Sequence, residues 1–180
     1  MISNQVSLWN GQTWTSDWSS DELSGKIICG TGHRPKLCPC GYNEDHAWFL
    51  ELDQRLDRLL THISPKAVIA GCALGFDTWL AETALNLGIP LHSYVPFKGQ
   101  GENWPKKSQK RLEKLLDRSE VVRYTAESYE KSCFLKRDRE MVDNSEAVVA
   151  LWNPEAMSGG TYYTIQYARK NSLPIINVWK

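Results

Sequence analysis

No stretch of this chain approaches the roughly 18–20 consecutive apolar residues needed to cross a bilayer. The first ten residues, Met1 to Asn10, have neither the basic cluster nor the apolar run of a leader peptide. The sequence therefore reads as cytoplasmic, with no membrane partner. An excess of one charge is also missing, because 21 Lys and Arg balance 21 Asp and Glu. Without a net positive field to hold a polyphosphate backbone, nucleic acid is not an expected partner. Five cysteines, an odd number scattered over the chain, do not form a secreted disulfide framework. The thiols are expected to be reduced. Internal repeats, low-complexity tracts and long linkers are absent, as are a Gly-x-Ser-x-Gly nucleophile turn and a His-Glu-x-x-His metal helix. No catalytic residue is assigned on these grounds, and no cofactor is expected.

What remains is a globular composition. The chain has 180 residues, of which 42% are hydrophobic and 23% charged, enough for one domain with a real core and not for two. Residues 1–25 read as an extension and residues 26–180 as the domain. Val6 to Trp9 and Gln12 to Thr15 flank Asn10-Gly11, a pattern that predicts a small β-hairpin. Trp9, Trp14 and Trp18 are expected to pack on their own domain rather than serve a partner.

From Lys26 onward β-rich runs alternate with helical stretches. The predicted strands are Lys26 to Cys29, Ala67 to Ala70, Leu91 to Val95, Val121 to Tyr124, Ala147 to Trp152 and Ile175 to Trp179. Several are continuous apolar runs, as in strands covered on both faces. The clearest helix runs from about Asp45 to Ile63, with Phe49, Leu52, Leu56, Leu59 and Leu60 on one face. Such alternation predicts an α/β fold, a mostly parallel Rossmann-like sheet with helices on both faces.

Three glycine-bearing segments follow predicted strands. In Gly30-Thr31-Gly32-His33-Arg34-Pro35 the glycines serve either a tight turn or a phosphate cradle, with Arg34 near the anion. In the segment from Gly71 through Ala73 and Gly75 to Asp77, the carboxylate of Asp77 is either a helix N-cap or an acceptor for ribose hydroxyls. Ser158-Gly159-Gly160-Thr161 offers consecutive N–H groups and a hydroxyl to a phosphate, or Thr161 is a plain N-cap. In a parallel sheet all three open at one edge, which predicts a nucleotide-sized pocket. Phe97 and Trp104 are candidates to stack on a base, and Arg137 to neutralise charge.

Two further clusters have plainer readings. His33, Cys38, Cys40 and His46 are zinc-type side chains, but Cys38-Pro39-Cys40 lacks the usual gap and no second cysteine pair is near, so no metal is expected. The lysines and arginines after Trp104, from Lys106 to Arg118, read as a solvated helix face.

The motifs Gly-Thr-Gly-His-Arg-Pro at 30–35, Gly-x-Ala-x-Gly-x-Asp at 71–77, Pro-Phe-x-Gly-Gln at 96–100 with Trp104, Arg137 with Met141-Val142-Asp143, and Gly-Gly-Thr at 159–161 resemble, in that order, YpsA-like proteins. These belong to the SLOG superfamily, with the Lonely Guy phosphoribohydrolases and the DNA-processing protein DprA. The resemblance covers Lys26 to Lys180 and implies a Rossmann-like domain that binds a nucleotide or nucleotide-derived ligand, as a sensor or sequestering protein, and a homo-oligomer. Nucleotide N-glycosidase activity is the alternative. The Lonely Guy enzymes carry a glutamate three residues after the threonine of their Gly-Thr pair, where this chain has Thr164. Arg137 matches the arginine of the YpsA-like Arg-Asn pair, and Asp138 stands at the asparagine. Single-stranded DNA binding, as in DprA, is a third reading that the neutral charge disfavours.

Overall fold

A computed structural model describes residues 8–9, 14–15 and 20–179, with side chains from residue 22 onward. Strand β1 (Leu8–Trp9) pairs antiparallel with β2 (Trp14–Thr15), and β1 then pairs antiparallel with the last strand. The Asn10-Gly11 turn, Trp18 and the side chains of Trp9 and Trp14 lie outside the described residues. After the short helix α1 (Ser20–Leu23) come β3 (Ile27–Gly32), α2 (Ala47–Ile63), β4 (Ala67–Ala70), α3 (Phe76–Asn86), β5 (Leu91–Val95), α4 (Lys106–Arg118), β6 (Val121–Tyr124), α5 (Cys133–Asp143), β7 (Ala147–Leu151), α6 (Gly159–Lys170) and β8 (Ile175–Asn177).

The sheet order is β2-β1-β8-β7-β3-β4-β5-β6, and the six strands from β8 to β6 are parallel. The parallel part of the sheet starts at β3 and steps outward through β4 and β5 to β6, then returns to β7 on the other flank of β3. Right-handed crossovers put the helices of the two journeys on opposite faces. The core divides accordingly. Leu52, Leu56 and Leu60 of α2 and Phe76 and Leu80 of α3 pack with Ile28, Val68 and Val149. On the other face, Met141 and Val142 of α5 and Ile165 and Ala168 of α6 pack with Cys29, Val148 and Ala150. Alternate residues of β3 and β7 thus feed both layers, which is why these strands read as unbroken apolar runs.

The α2 stripe is buried from Leu52 to Ile63, and the Nδ1 of His46 caps the helix by accepting from the Trp48 N–H at 3.1 Å. The expected start at Asp45 is two residues early, because the cap itself is His46. Strand β6 departs from the expectation of strands covered on both faces. It is the edge of the sheet, and all four of its residues are exposed. The larger difference is in β3, which runs on through Gly32 instead of ending at Cys29. Gly30, Thr31 and Gly32 sit opposite Val149, Ala150 and Leu151 in the ladder with β7. These three are strand residues, and the segment leaves the sheet only at His33.

Candidate functional site

Between β3 and β7 the direction of strand succession reverses, and in open α/β sheets ligands bind beyond the carboxyl ends of the strands at such a point. A cavity of about 290 Å³ opens there, walled by the end of β3, Ala73, the first turn of α3, α5 and the start of α6. Of the residues singled out from sequence, Gly30, Thr31, Gly32, His33, Arg34, Ala73, Asp77, Arg137, Gly159, Gly160 and Thr161 line it. Gly71, Gly75, Phe97 and Trp104 do not.

Each glycine has a physical reason. A Cβ on Gly30 would fall 2.3 Å from Leu80 Cδ2, and one on Gly32 would fall 2.5 Å from the Phe76 ring. These two positions are empty so that α3 can lie against β3. Gly71 is occupied in the same sense by Arg137, whose Nη1 would be 1.7 Å from an added Cβ. Gly75 is the residue before α3 and lies under Pro35. Gly159 differs because nothing crowds it and its φ is +89°, the region that glycine alone enters cheaply.

At the start of α6 the cap position is Ser158, and no side chain caps the helix. Thr161 is its third residue rather than an N-cap. The first backbone N–H groups of a helix have no intrahelical partner, and they carry the positive end of its dipole. Here they border the cavity at Gly159, Gly160 and Thr161. The approach is held by the preceding loop: Asn177 Oδ1 accepts from the Trp152 N–H at 3.0 Å, its Nδ2 donates to Trp152 O at 2.8 Å, and Trp152 Nε1 donates to Ala156 O at 2.8 Å.

Arg137 enters the cavity floor from α5 and is buried. Its Nη1 donates to Gly71 O and lies 3.5 Å from Asp77 Oδ2, while its Nε is 2.8 Å from Asp138 Oδ1, an ion pair outside hydrogen-bond alignment. Burial alone would lower the Arg137 pKa, but Asp138 and Asp77 raise it on balance. Burial pushes the Asp77 carboxyl above its ordinary range, opposed by Arg137 and Arg34. Asp77 is the second residue of α3 and accepts from the Ala73 N–H at 3.3 Å, so it is not the N-cap of α3, a place held by Gly75. Arg34, by contrast, is exposed at the mouth.

His33 lines the cavity with its donor and acceptor roles already set. Its Nε2 accepts from the Asn153 N–H at 2.9 Å, its ring meets Trp179 edge-on, and burial lowers its pKa. It is a neutral post between β3 and the β7–α6 loop. Cys38 and Cys40 face the core, their thiols donating to Arg34 O and Gly41 O, and burial pushes Cys38 up to about 12.

Leu37, Phe134, Asp138 and Ser158 also line the cavity. Phe134 lies three residues before Arg137 on α5, so helical spacing from Arg137 was a usable signal for it, whereas Asp138 was marked only as the residue that follows Arg137. Ser158 directly precedes the Gly-Gly pair, and nothing in the sequence marks Leu37. A second cavity of about 560 Å³ adjoins the first and contains Phe97 and Trp104, and Arg34 and Phe134 line both.

With this geometry in place, residues 28–176 match the profile of the YpsA family, described as the YspA SLOG family. The chain belongs to that family. A UPF0398 protein of Bacillus velezensis is 26% identical to this YpsA-family chain over 155 residues, spanning 81% of the chain and 84% of the relative. One from Bacillus pumilus is 26% identical over 163 residues, spanning 85% and 87%. Among solved structures, DprA from Streptococcus pneumoniae superposes with a TM-score of 0.61 at 19% identity, covering 86% of this chain and 50% of DprA. DprA from Helicobacter pylori, described for its single-stranded DNA binding mode, gives 0.61 at 18%, covering 86% and 66%. This likeness is one of fold, and the YpsA-family chain spans half the length of the pneumococcal protein. Among the described residues no helix is long and apolar enough to cross a membrane.

Proposed function

We propose that this protein binds a nucleotide or nucleotide-derived ligand at the carboxyl edge of its sheet and holds it unchanged, as a sensor or sequestering protein. The observation that carries the reading is the meeting of the uncapped α6 N-terminus with exposed Arg34 in one cavity at the switch point. Arg137 is committed to two carboxylates, so Arg34 is the cation that meets the phosphate. Family membership supports the same class of ligand, and a cytoplasmic homo-oligomer is part of the proposal on composition and resemblance.

Binding is favoured over N-glycosidic cleavage by Thr164. Its hydroxyl donates back to Gly160 O at 2.9 Å, and it offers no carboxylate where the related hydrolases have one. Asp77 and Asp138 are both engaged by Arg137.

The test is calorimetric titration with adenosine diphosphate and with ribose 5-phosphate, followed by recovery of the ligand. Binding with intact ligand recovered is expected. Arg34→Ala and Gly160→Asp should each weaken it at least tenfold with the melting temperature little changed. A Cβ at Gly160 meets only Asp138 Oδ2 at 3.8 Å, so the variant is expected to fold while adding negative charge at the helix start. Released base would establish the hydrolase instead, and no binding would refute the proposal.

A second reading has a specific motive. The Helicobacter pylori protein of similar fold binds single-stranded DNA, which weakens the expectation that nucleic acid is no partner. Lys106, Lys107, Lys110, Lys114 and Arg118 form an exposed basic face on α4. Oligonucleotide affinity that falls steeply with salt would favour this reading.

A further inference from the structure

The larger cavity adjoining the phosphate site has an unlike character. Its walls include Phe97, Trp104, Tyr129 and Phe134, and its polar members are Arg34, Lys98, Gln100, Glu102 and Asn103. Phe97 forms T-shaped ring pairs with Tyr129 at 5.5 Å and with Phe134 at 6.0 Å. Tyr129 is 65% exposed, a large ring left at the rim of an aromatic cavity.

Gln100 supplies the second observation. It is 9% exposed, and its Nε2 donates to Cys72 O at 2.8 Å, which fixes which end of the amide is the carbonyl. The remaining atom, Oε1, is buried and has no hydrogen-bond partner. An unmet acceptor in the interior is costly, and native structures seldom keep one without a use. A flat ring bearing an N–H would satisfy it while stacking on the aromatic side chains, and charged or aliphatic groups would do only one of the two.

We propose that this cavity is a nucleobase seat, taking a purine whose N–H donor is read by Gln100 Oε1 and whose faces meet Phe97, Tyr129 and Phe134. Because Arg34 and Phe134 line both cavities, one ligand reaches from the α6 N-terminus to the base seat and turns at Arg34. The inference rests on the proposed phosphate site and assigns the rest of its ligand.

The experiment titrates the full chain with adenosine diphosphate, with the purine riboside diphosphate that lacks the 6-amino group, and with ribose 5-phosphate. Adenosine diphosphate is expected to bind at least tenfold more tightly than ribose 5-phosphate. Tyr129→Ala, at an exposed position, should remove most of that margin and leave ribose 5-phosphate affinity unchanged. Gln100→Leu should abolish the preference for adenosine diphosphate over its 6-deamino analogue. Equal affinity for adenosine diphosphate and ribose 5-phosphate would overturn the base seat and leave the phosphate site standing. No preference for the 6-amino group in the unmodified protein would overturn the role of Gln100. Failure of all three probes to bind at millimolar concentration would overturn both proposals together.

Discussion

At the scale of single residues, Arg137 shows how the cavity floor is held. A guanidinium with 6% of its side chain exposed sits against carboxylates exposed by 9% and 13%, at Asp77 and Asp138. Removing one member of a buried ionic cluster leaves the others uncompensated, so Arg137→Met should cost about 3–5 kcal/mol of folding stability, measured by urea unfolding. His33 adds a pH dependence. Burial lowers its folded pKa below the ordinary 6.5, so the unfolded chain binds more protons than the folded one. Its contribution is fully present above about pH 6.5 and is lost as pH falls through the folded value. Asp77 acts in the opposite sense, since its raised carboxyl favours the folded state as pH falls. Comparison with His33→Gln cancels Asp77. The difference in unfolding free energy between the two proteins should vary between pH 7 and pH 5 and be flat above. Sequence alone placed Arg137 and Asp77 at the site but not in each other's company, because their meeting depends on α3 and α5 approaching from opposite faces of the sheet.

At the scale of elements, the junction of β3 with α3 decides what the first glycines are for. Gly30 and Gly32 are spaced by two, so both face the same layer of a strand, and that layer is α3. Gly30→Ala forces a methyl into Leu80, and overpacking of this kind costs about 1–3 kcal/mol. Thermal unfolding should show the loss, and the double variant with Leu80→Ala should lose less than the sum of the two single losses. A glycine that only cradled phosphate would show weakened binding without the loss of stability. The order and type of the parallel elements were legible from apolar runs and helical stripes. The length of β3 was not, because glycine in a sequence signals a break in a strand and the requirement for it came from a helix more than forty residues later. The same limit explains the exposed β6, whose Val-Val run looks central although its neighbours leave it at an edge. For the site, Gly159, Gly160 and Arg34 were readable as local chemistry, whereas Leu37 enters the cavity only through the 3₁₀ turn at Pro35–Leu37.

At the scale of the whole molecule, the sheet has unlike margins. The β8 side is extended by the antiparallel β1–β2 pair, whereas β6 is a free margin. Unpaired strand edges template association, so a chain beginning at residue 20 should self-associate more at rising concentration than the full chain. Light scattering on the two proteins checks this, and equal behaviour would refute it. The central strand has a further consequence. β3 is made early, and its partner β7 comes from the last third of the chain, so during synthesis one flank of β3 waits exposed while the outer strands are laid down. The cavity at the switch point cannot exist until that flank closes and α6 has followed. Whatever fills this cavity would therefore recognise only finished molecules, and its arrival would mark the moment at which a nascent chain becomes a mature one.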